Sequence, residues 1–265
     1  ANVLTAPDLV AGYCTDWTGR FRGATPAVVR PASTAEVAAV VEACRAHGAA
    51  LVPQGGNTGL AGGSVPLAGE VVVSLARLAE VGEVDAAAGQ VTAGAGATVA
   101  RVQAAAAASG LAYPVDLASR DSATVGGTIA TNAAGLRAVR YGDTRAQVLG
   151  VEAVLGDGSV VSHLSGLARD NTGYHLPSLL CGSEGTLAVV TRARLRLVAP
   201  LATGRTTALV GFSSVDAAVD AVAALRRGLQ LDACEIVLDE GLALVRAVTG
   251  LAPPLTGVRA ALLVE

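Results

Sequence analysis

The sequence predicts an α+β fold in two parts, on three observations. Short apolar runs bounded by glycine or proline alternate with segments of helical period. The stretch "VLGVEAVLGDGSVVSHL" reads as a β-hairpin with Gly156, Asp157 and Gly158 at its turn. Near residues 200–206 the character changes, and "TTALVGF", "SVDAAVDAVAALRRG", "LDACEIVLD", "GLALVRAVTG" and "GVRAALLVE" alternate strand, helix, strand, helix, strand. The expected division is residues 1–204 and residues 205–265. The second part stops on an apolar strand, Val258 to Val264, and reads as a domain cut short.

Each element of the first part has a local reason. "STAEVAAVVEACRAHG" is a complete helix: Ser33 or Thr34 caps it, Glu36 lies in the first turn and Gly48 stops it. "AALVPQGG" follows as a short buried strand, then "EVVVSLARL" and "GQVTAGAGA" as further strands. "TVARVQAAAAASG" is a second helix, ended by Gly110. The small residues of "SATVGGTIATNAAG", 122–135, suit close backbone approach more than core filling. "CGSEGTLAVVTRARLRLVAP" is a glycine turn and a long strand that closes at Pro200.

Composition removes several function classes. A chain of 265 residues buries a sound core as one large or two medium domains. It is 52% hydrophobic and 15% charged, yet no apolar run approaches the roughly 20 residues that span a bilayer. No basic-apolar leader is visible, and the absence of an initial Met suggests trimming. A net charge of −3 with no Lys argues against nucleic acid, which requires clustered cations. Arg192, Arg194 and Arg196 alternate as one solvated strand face. Cys14, Cys44, Cys181 and Cys234 are scattered without a C-x-x-C pair, which argues against zinc and disulfides and fits a reducing cytoplasm. His47, His163 and His175 lack metal spacing, so no metal site is expected from this chain.

"LVPQGGNTGLAGGSVP", residues 51–66, poses the chemical question. A Walker loop needs a Lys, so that reading fails. The nearest dinucleotide fingerprint is "GAGATV", with Gly94, Gly96 and Asp116 twenty residues further on. Val99 occupies its third position, where close helix packing needs Gly or Ala, so a plain strand-to-helix turn is favoured there. For the loop at 53–63 an anion nest competes with an ordinary flexible loop. Consecutive main-chain N–H groups in such a turn bind pyrophosphate without a cation.

"DWTGRFRG…VVRP", "VPQGGNTGLAGGSVP", "VDLASRDSATVGGTIATNAAGLRAVRYG", "DNTGYHL" and "GSEGTLAVVT" together resemble the FAD-linked oxidases of p-cresol methylhydroxylase and vanillyl-alcohol oxidase type. Within that family the motifs are most similar to D-2-hydroxyglutarate dehydrogenases, with D-lactate dehydrogenases and the glycolate oxidase flavin subunit nearby. The resemblance implies a two-subdomain FAD-binding domain over 1–204 and the start of an α+β substrate domain over 205–265. It implies that Pro53, Gln54, Gly55, Gly56, Asn57, Thr58, Gly59, Leu60, Gly62, Gly63 and Ser64 wrap the FAD pyrophosphate. Pro114, Asp116, Ser122, Thr124, Gly126 and Gly127 are expected along the cofactor. Thr131, Asn132, Ala133 and Gly135 are expected near its ribityl chain or ring, and "EGTLAVV", Glu184 to Val190 with Glu184, Gly185, Val189 and Val190 foremost, is expected to hold it through backbone contacts. Relatives that attach flavin covalently here often carry His after the paired Gly; Asn57 cannot form that bond, so non-covalent FAD is expected.

The family chemistry is oxidation of a small D-2-hydroxy acid to its 2-oxo acid, with hydride passing to the flavin N5. The expected acceptor is a quinone, a cytochrome or an electron-transfer flavoprotein, and a homodimer is one expected assembly. No catalytic residue is assigned, because the resemblance implies a catalytic base and a divalent metal beyond residue 265. The alternative is a non-catalytic FAD-binding fragment or subunit. A weaker reading reverses the chemistry with a nicotinamide donor, as in the similar enolpyruvyl reductase. His163 and His175 read as surface or second-layer residues, Cys181 as a buried small hydrophobe, Tyr174 as packing, and Glu184 as a buried carboxylate satisfied by backbone amides in preference to one that tunes the site. Arg137, Arg140 and Tyr141 stay open between an exposed loop and a substrate-facing role.

Overall fold

The computed structural model describes residues 2–200 and 204–265. Two compact units are present: residues 1–134 with 143–200, and residues 135–142 with 201–265. The segment 135–142, which carries no sequence mark of a boundary, thus groups with the second unit. The expected boundary abuts residues 201–203, which lie outside the described residues.

The first unit holds two four-stranded sheets. In the first, β1 (Asn2–Leu4), β2 (Val28–Arg30), β3 (Leu51–Gln54) and β4 (Val71–Ser74) lie in the order β1-β2-β4-β3. β1 runs antiparallel to β2, while β2, β4 and β3 are parallel. Pro53 pairs with Val73 on the edge strand, where a residue without an N–H is tolerated. The second sheet, β5 (Gln90–Gly94), β6 (Val148–Leu155), β7 (Val160–His163) and β8 (Ala188–Arg196), is antiparallel in the order β5-β8-β6-β7. β8 buries Ala193 and Leu195 while Arg192 and Arg196 face solvent; Arg194 reaches back to Gln90 at 2.8 Å.

Helix α1 (Pro7–Val10) covers β2 with Val10, and α2 (Thr34–Ala46) packs on β6 and β8 of the second sheet. Ser33 accepts a hydrogen bond from the Glu36 N–H, while the Glu36 carboxylate takes the Ala32 N–H at 2.9 Å, a reciprocal cap. Val37 and Val41 point into the main core with Val91, Val151 and Leu195, and Thr34 Oγ1 donates to Glu152 Oε1 on β6 at 2.6 Å. α3 (Val99–Ala108), capped by Thr98, adds Val99, Val102 and Ala106.

The segment 122–135 departs from expectation. Residues Val125–Thr131 form helix α4, and its Val125 and Ile129 are fully buried. Its glycines still serve close approach: a Cβ on Gly126 would stand 2.8 Å from the Ala95 Cβ. Two short helices, α5 (Ala138–Tyr141) and α6 (Thr144–Gln147), and then α7 (Leu176–Leu180) complete the connections.

In the second unit, β9 (Ala208–Phe212), α8 (Val215–Gly228), β10 (Cys234–Leu238), α9 (Asp239–Thr249) and β11 (Ala260–Val264) follow the alternation read from the sequence. Their sheet is antiparallel in the order β10-β11-β9, with Ala218 of α8 buried against Ala260 and Leu262. Arg137 and Arg140 ion-pair inside this unit, with Glu265 (3.0 Å) and with Asp232.

Candidate cofactor site

The glycine loop is fastened by side chains so that its main chain stays available. Gln54, buried at the end of β3, donates from Nε2 to the carbonyls of Tyr13 (2.9 Å) and Ser64 (2.8 Å), tying the loop's start to its end. Asn57 takes a left-handed φ of 51°; its Nδ2 donates to Thr15 O at 2.8 Å and its Oδ1 accepts from Ser64 Oγ at 2.7 Å. On the other side the loop meets the backbone before α4. A Cβ on Gly56 would lie 1.8 Å from the Ser122 carbonyl oxygen, so no larger residue fits there.

Among the described residues, no hydrogen bond engages the main-chain N–H groups of 55–61. The competing glycine turn behaves in the opposite way. There Gly94 N–H donates to Glu80 O (2.8 Å), Ala95 to Thr191 O (2.8 Å) and Gly96 to Leu78 O (2.9 Å). A turn whose amides are spent on the protein has none left for phosphate. The strand-to-helix reading of 94–99 therefore stands, and the donors are in the other loop.

The opposite wall hangs from α4. Thr124 caps the helix, and its C-terminal Asn132 (φ 49°) donates to Asp143 Oδ2 at 2.7 Å and accepts from the Arg145 N–H. The Arg145 guanidinium donates to the carbonyls of Ser178 and Cys181, each at 2.6 Å. The turn that follows α7 is bonded to α4 in turn: Gly182 N–H to Ile129 O at 2.9 Å, and Glu184 N–H to Ala130 O at 2.8 Å. Gly185, at φ +74°, lies flat on Pro53, where a Cβ would stand 2.6 Å from the ring.

Between these walls lies a cavity of about 390 Å³, within the range of roughly 300–1,000 Å³ usual for cofactor sites. The structure brings Pro53, Gly55, Gly56, Asn57, Thr58, Gly59, Leu60, Gly63, Ser64, Thr124, Gly126, Gly127, Thr131, Glu184, Gly185 and Val190 to its lining. The other expected residues stand elsewhere. Gln54 is the clamp just described, and Gly62 backs onto the Phe21 ring. Pro114 is buried, Asp116 pairs with Arg120 at 3.0 Å, and Ser122 presents its carbonyl to Gly56. Asn132 turns to Asp143, Val189 is buried in the core beside Val190, and Gly135 belongs to the second unit.

Ala61, Ala133 and Ala188, which lie within the expected stretches, also line the cavity, as do Leu75, Leu117, Ser119, Ala123, Thr128, Ala130 and Ser183, which the sequence does not single out. Most are the small neighbours of expected residues and share their signal. Leu75, Leu117 and Ser119 carry no local signal, because tertiary packing alone delivers them.

Glu184 is the one ionisable side chain among the described residues lining the cavity, and it is exposed rather than buried as expected. The turn at Gly182–Gly185 swings it out of the apolar run that follows. Tyr174 is likewise a correction, at 91% exposure. His163 ends β7 and contacts Asp170 at 2.7 Å, and His175 caps α7 by accepting the Ser178 N–H; neither lines the cavity. Cys181 is buried as expected, and burial pushes its thiol up to about 11. Among the described residues no helix is long and apolar enough to cross a membrane, and no group of His, Cys, Asp and Glu is arranged to hold a metal.

Comparison with known proteins agrees with this geometry. A family model described as FAD binding domain matches residues 25–163, and one described as FAD linked oxidases, C-terminal domain, matches 201–265. The chain is 41% identical over 252 residues to a D-2-hydroxyglutarate dehydrogenase of Xanthomonas citri, covering 95% of this chain and 53% of that protein. It is 39% identical to one of Stutzerimonas stutzeri, covering 92% and 52%. The chain thus spans about half the length of the curated relatives it matches. Among solved structures, an alkyldihydroxyacetonephosphate synthase superimposes over 99% of this chain and 52% of its own, with a TM-score of 0.76 and 18% identity, which establishes the shared fold. Unspent loop amides, walls poor in side chains and the absence of any Lys or Arg from the described lining suit the pyrophosphate and flat rings of FAD. The chain belongs to the FAD-linked oxidase family and carries that family's FAD-binding domain.

Proposed function

We propose that this protein serves the FAD-dependent oxidation of a D-2-hydroxy acid to its 2-oxo acid, with D-2-hydroxyglutarate the first substrate to test. The observation that carries the reading is the 41% identity, across 95% of the chain, with a protein named D-2-hydroxyglutarate dehydrogenase. When bound, FAD supplies the acceptor at N5 for the hydride that leaves C2 of the hydroxy acid. The residues of this chain bind and orient it. The N–H groups of 55–61 hold the pyrophosphate through neutral donors, and Ala130, Ala133, Ala188 and Val190 offer a flat wall to a ring. Asn57, with both ends of its amide engaged, leaves the cofactor unlinked. Electrons then pass to a quinone, a cytochrome or an electron-transfer flavoprotein.

A second reading is favoured by the lining itself, which offers no described side-chain base other than Glu184. In it, this chain is the cofactor-holding part of a longer enzyme. The groups that take the hydroxyl proton and grip the substrate carboxylates, a divalent metal among them, then lie outside it. One experiment separates the two. The purified chain is loaded with FAD and mixed anaerobically with D-2-hydroxyglutarate, then D-lactate. Bleaching of the flavin band with turnover to a dye acceptor supports a chain active by itself. A yellow protein that neither substrate bleaches supports the second reading, and a chain that retains no flavin overturns both. Flavin released into the supernatant by acid precipitation supports the non-covalent assignment; flavin remaining in the pellet overturns it.

A further inference from the structure

Glu184 stands out once the cavity is described. It lines the space, it is the single ionisable group among the described residues there, and it has a left-handed φ of 54°. Only three described non-glycine residues share that region, and the other two, Asn57 and Asn132, belong to the residue type that tolerates it best. A glutamate there is strained, whereas the glycine that follows at 185 adopts φ +74° freely. The strain is held by the bond from the Glu184 N–H to Ala130 O. The carboxylate is aimed across the cavity: a Cβ on Gly63 would stand 3.1 Å from Glu184 Oε2.

A carboxylate in this position disfavours phosphate beside it, since like charges repel in a confined site. It can accept hydrogen bonds from neutral hydroxyls, and charge-assisted bonds of that kind are stronger than neutral ones. Its Oε2 reaches the glycine loop at Gly63, beyond the amides of 55–61 in the chain, and its own turn leads along the chain to Ala188 and Val190, which line the same cavity. The part of FAD that joins a flat ring to the pyrophosphate is a polyol.

We propose that the Glu184 carboxylate accepts hydrogen bonds from the sugar hydroxyls of the bound FAD, and that by repelling phosphate it fixes which way the dinucleotide lies in the cavity. This rests on the FAD reading above and assigns a side-chain role where the family resemblance implies main-chain contacts.

The test uses the 265-residue chain, freed of flavin, and Kd values for FAD, FMN and ADP by calorimetry, with thermal midpoints alongside. The variants are Glu184→Gln, which removes charge, and Glu184→Gly, which removes the side chain and the backbone strain together. FAD is expected to weaken about tenfold or more in Glu184→Gly, and less in Glu184→Gln. The thermal midpoint of Glu184→Gly is expected to hold or rise. Weakening of FMN with ADP unchanged or tightened assigns the ribityl chain; weakening of ADP with FMN unchanged assigns the adenosine ribose. Either supports the proposal. Unchanged FAD affinity, an equal loss for FMN and ADP, or a loss matched by a falling thermal midpoint overturns it. If the wild-type chain binds no FAD, it is the cofactor reading that fails instead.

Discussion

Gly56 carries the tightest steric constraint in the site, because its missing side chain is what lets the loop meet the backbone at Ser122. Gly56→Ala places a Cβ 1.8 Å from a carbonyl oxygen, so one of the two segments must move. The expected cost is about 1–3 kcal/mol of stability, with loss of retained flavin read from the ratio of visible to ultraviolet absorbance. Tyr113 is the opposite case. Its hydroxyl is buried with no hydrogen-bond partner among the described residues, so Tyr113→Phe removes an uncompensated polar group. A gain of roughly 1 kcal/mol is expected in urea unfolding. The first constraint is legible in the sequence and the second is not. Glycine where the chain must come close is a local signal, and "PQGGNTGLAGG" displays it. Whether a buried tyrosine finds a partner depends on neighbours distant in sequence. Glu184 was misjudged for a related reason: the apolar run after it suggests burial, but the left-handed turn that exposes it is set by its bond to α4.

Helix α4 shows where element-level reading reaches its limit. "VGGTIAT" is poor in helix formers, so propensity argues against a helix. One local and two tertiary facts override it: Thr124 caps the first turn, Val125 and Ile129 lie one turn apart on the buried face, and Gly126 allows contact with Ala95. Strands β3 to β8 and the two long helices of the first unit are legible because periodicity and caps are local, whereas the three-residue β1 and β2 are too short to show a period. Tyr113 and Cys181, both buried in the main core, carry a pH signature. Burial, helped by the nearby Cys181, raises the Tyr113 phenol well above its ordinary range, and burial pushes the Cys181 thiol up to about 11. In the unfolded chain a thiol ionises near about 8.5 and a phenol near about 10. Both groups are raised on folding, so the stability they contribute is full below about pH 8.5 and is lost as the unfolded forms give up protons first. The thermal midpoint is expected to fall by several degrees between about pH 8.5 and 10.5, less steeply in Tyr113→Phe. A midpoint level across that range would contradict the assignment.

For the molecule as a whole, ligand linkage and charge set the last expectations. FAD at one hundred times its Kd is expected to stabilise the chain by about 2.7 kcal/mol, visible as a rise in thermal midpoint. How FAD affinity responds to salt separates the two ways a protein holds phosphate. Cationic side chains attract it by a Coulomb term that weakens as the Debye length shrinks from about 10 Å at 0.1 M to about 3 Å at 1 M. Oriented main-chain N–H groups act at hydrogen-bond range, where screening has little purchase. This chain has no Lys, a net charge of −3, and no Arg among the described residues lining the cavity. Its pyrophosphate contacts are therefore expected to fall in the second class. The Kd for FAD is expected to change by less than about threefold between 0.05 and 0.5 M sodium chloride, followed by quenching of flavin fluorescence. A slight tightening is consistent, because salt screens the repulsion between an anionic chain and an anionic ligand. A tenfold weakening would mean that an arginine reaches the phosphates, and the amide loop at 55–61 would lose its role as their principal holder.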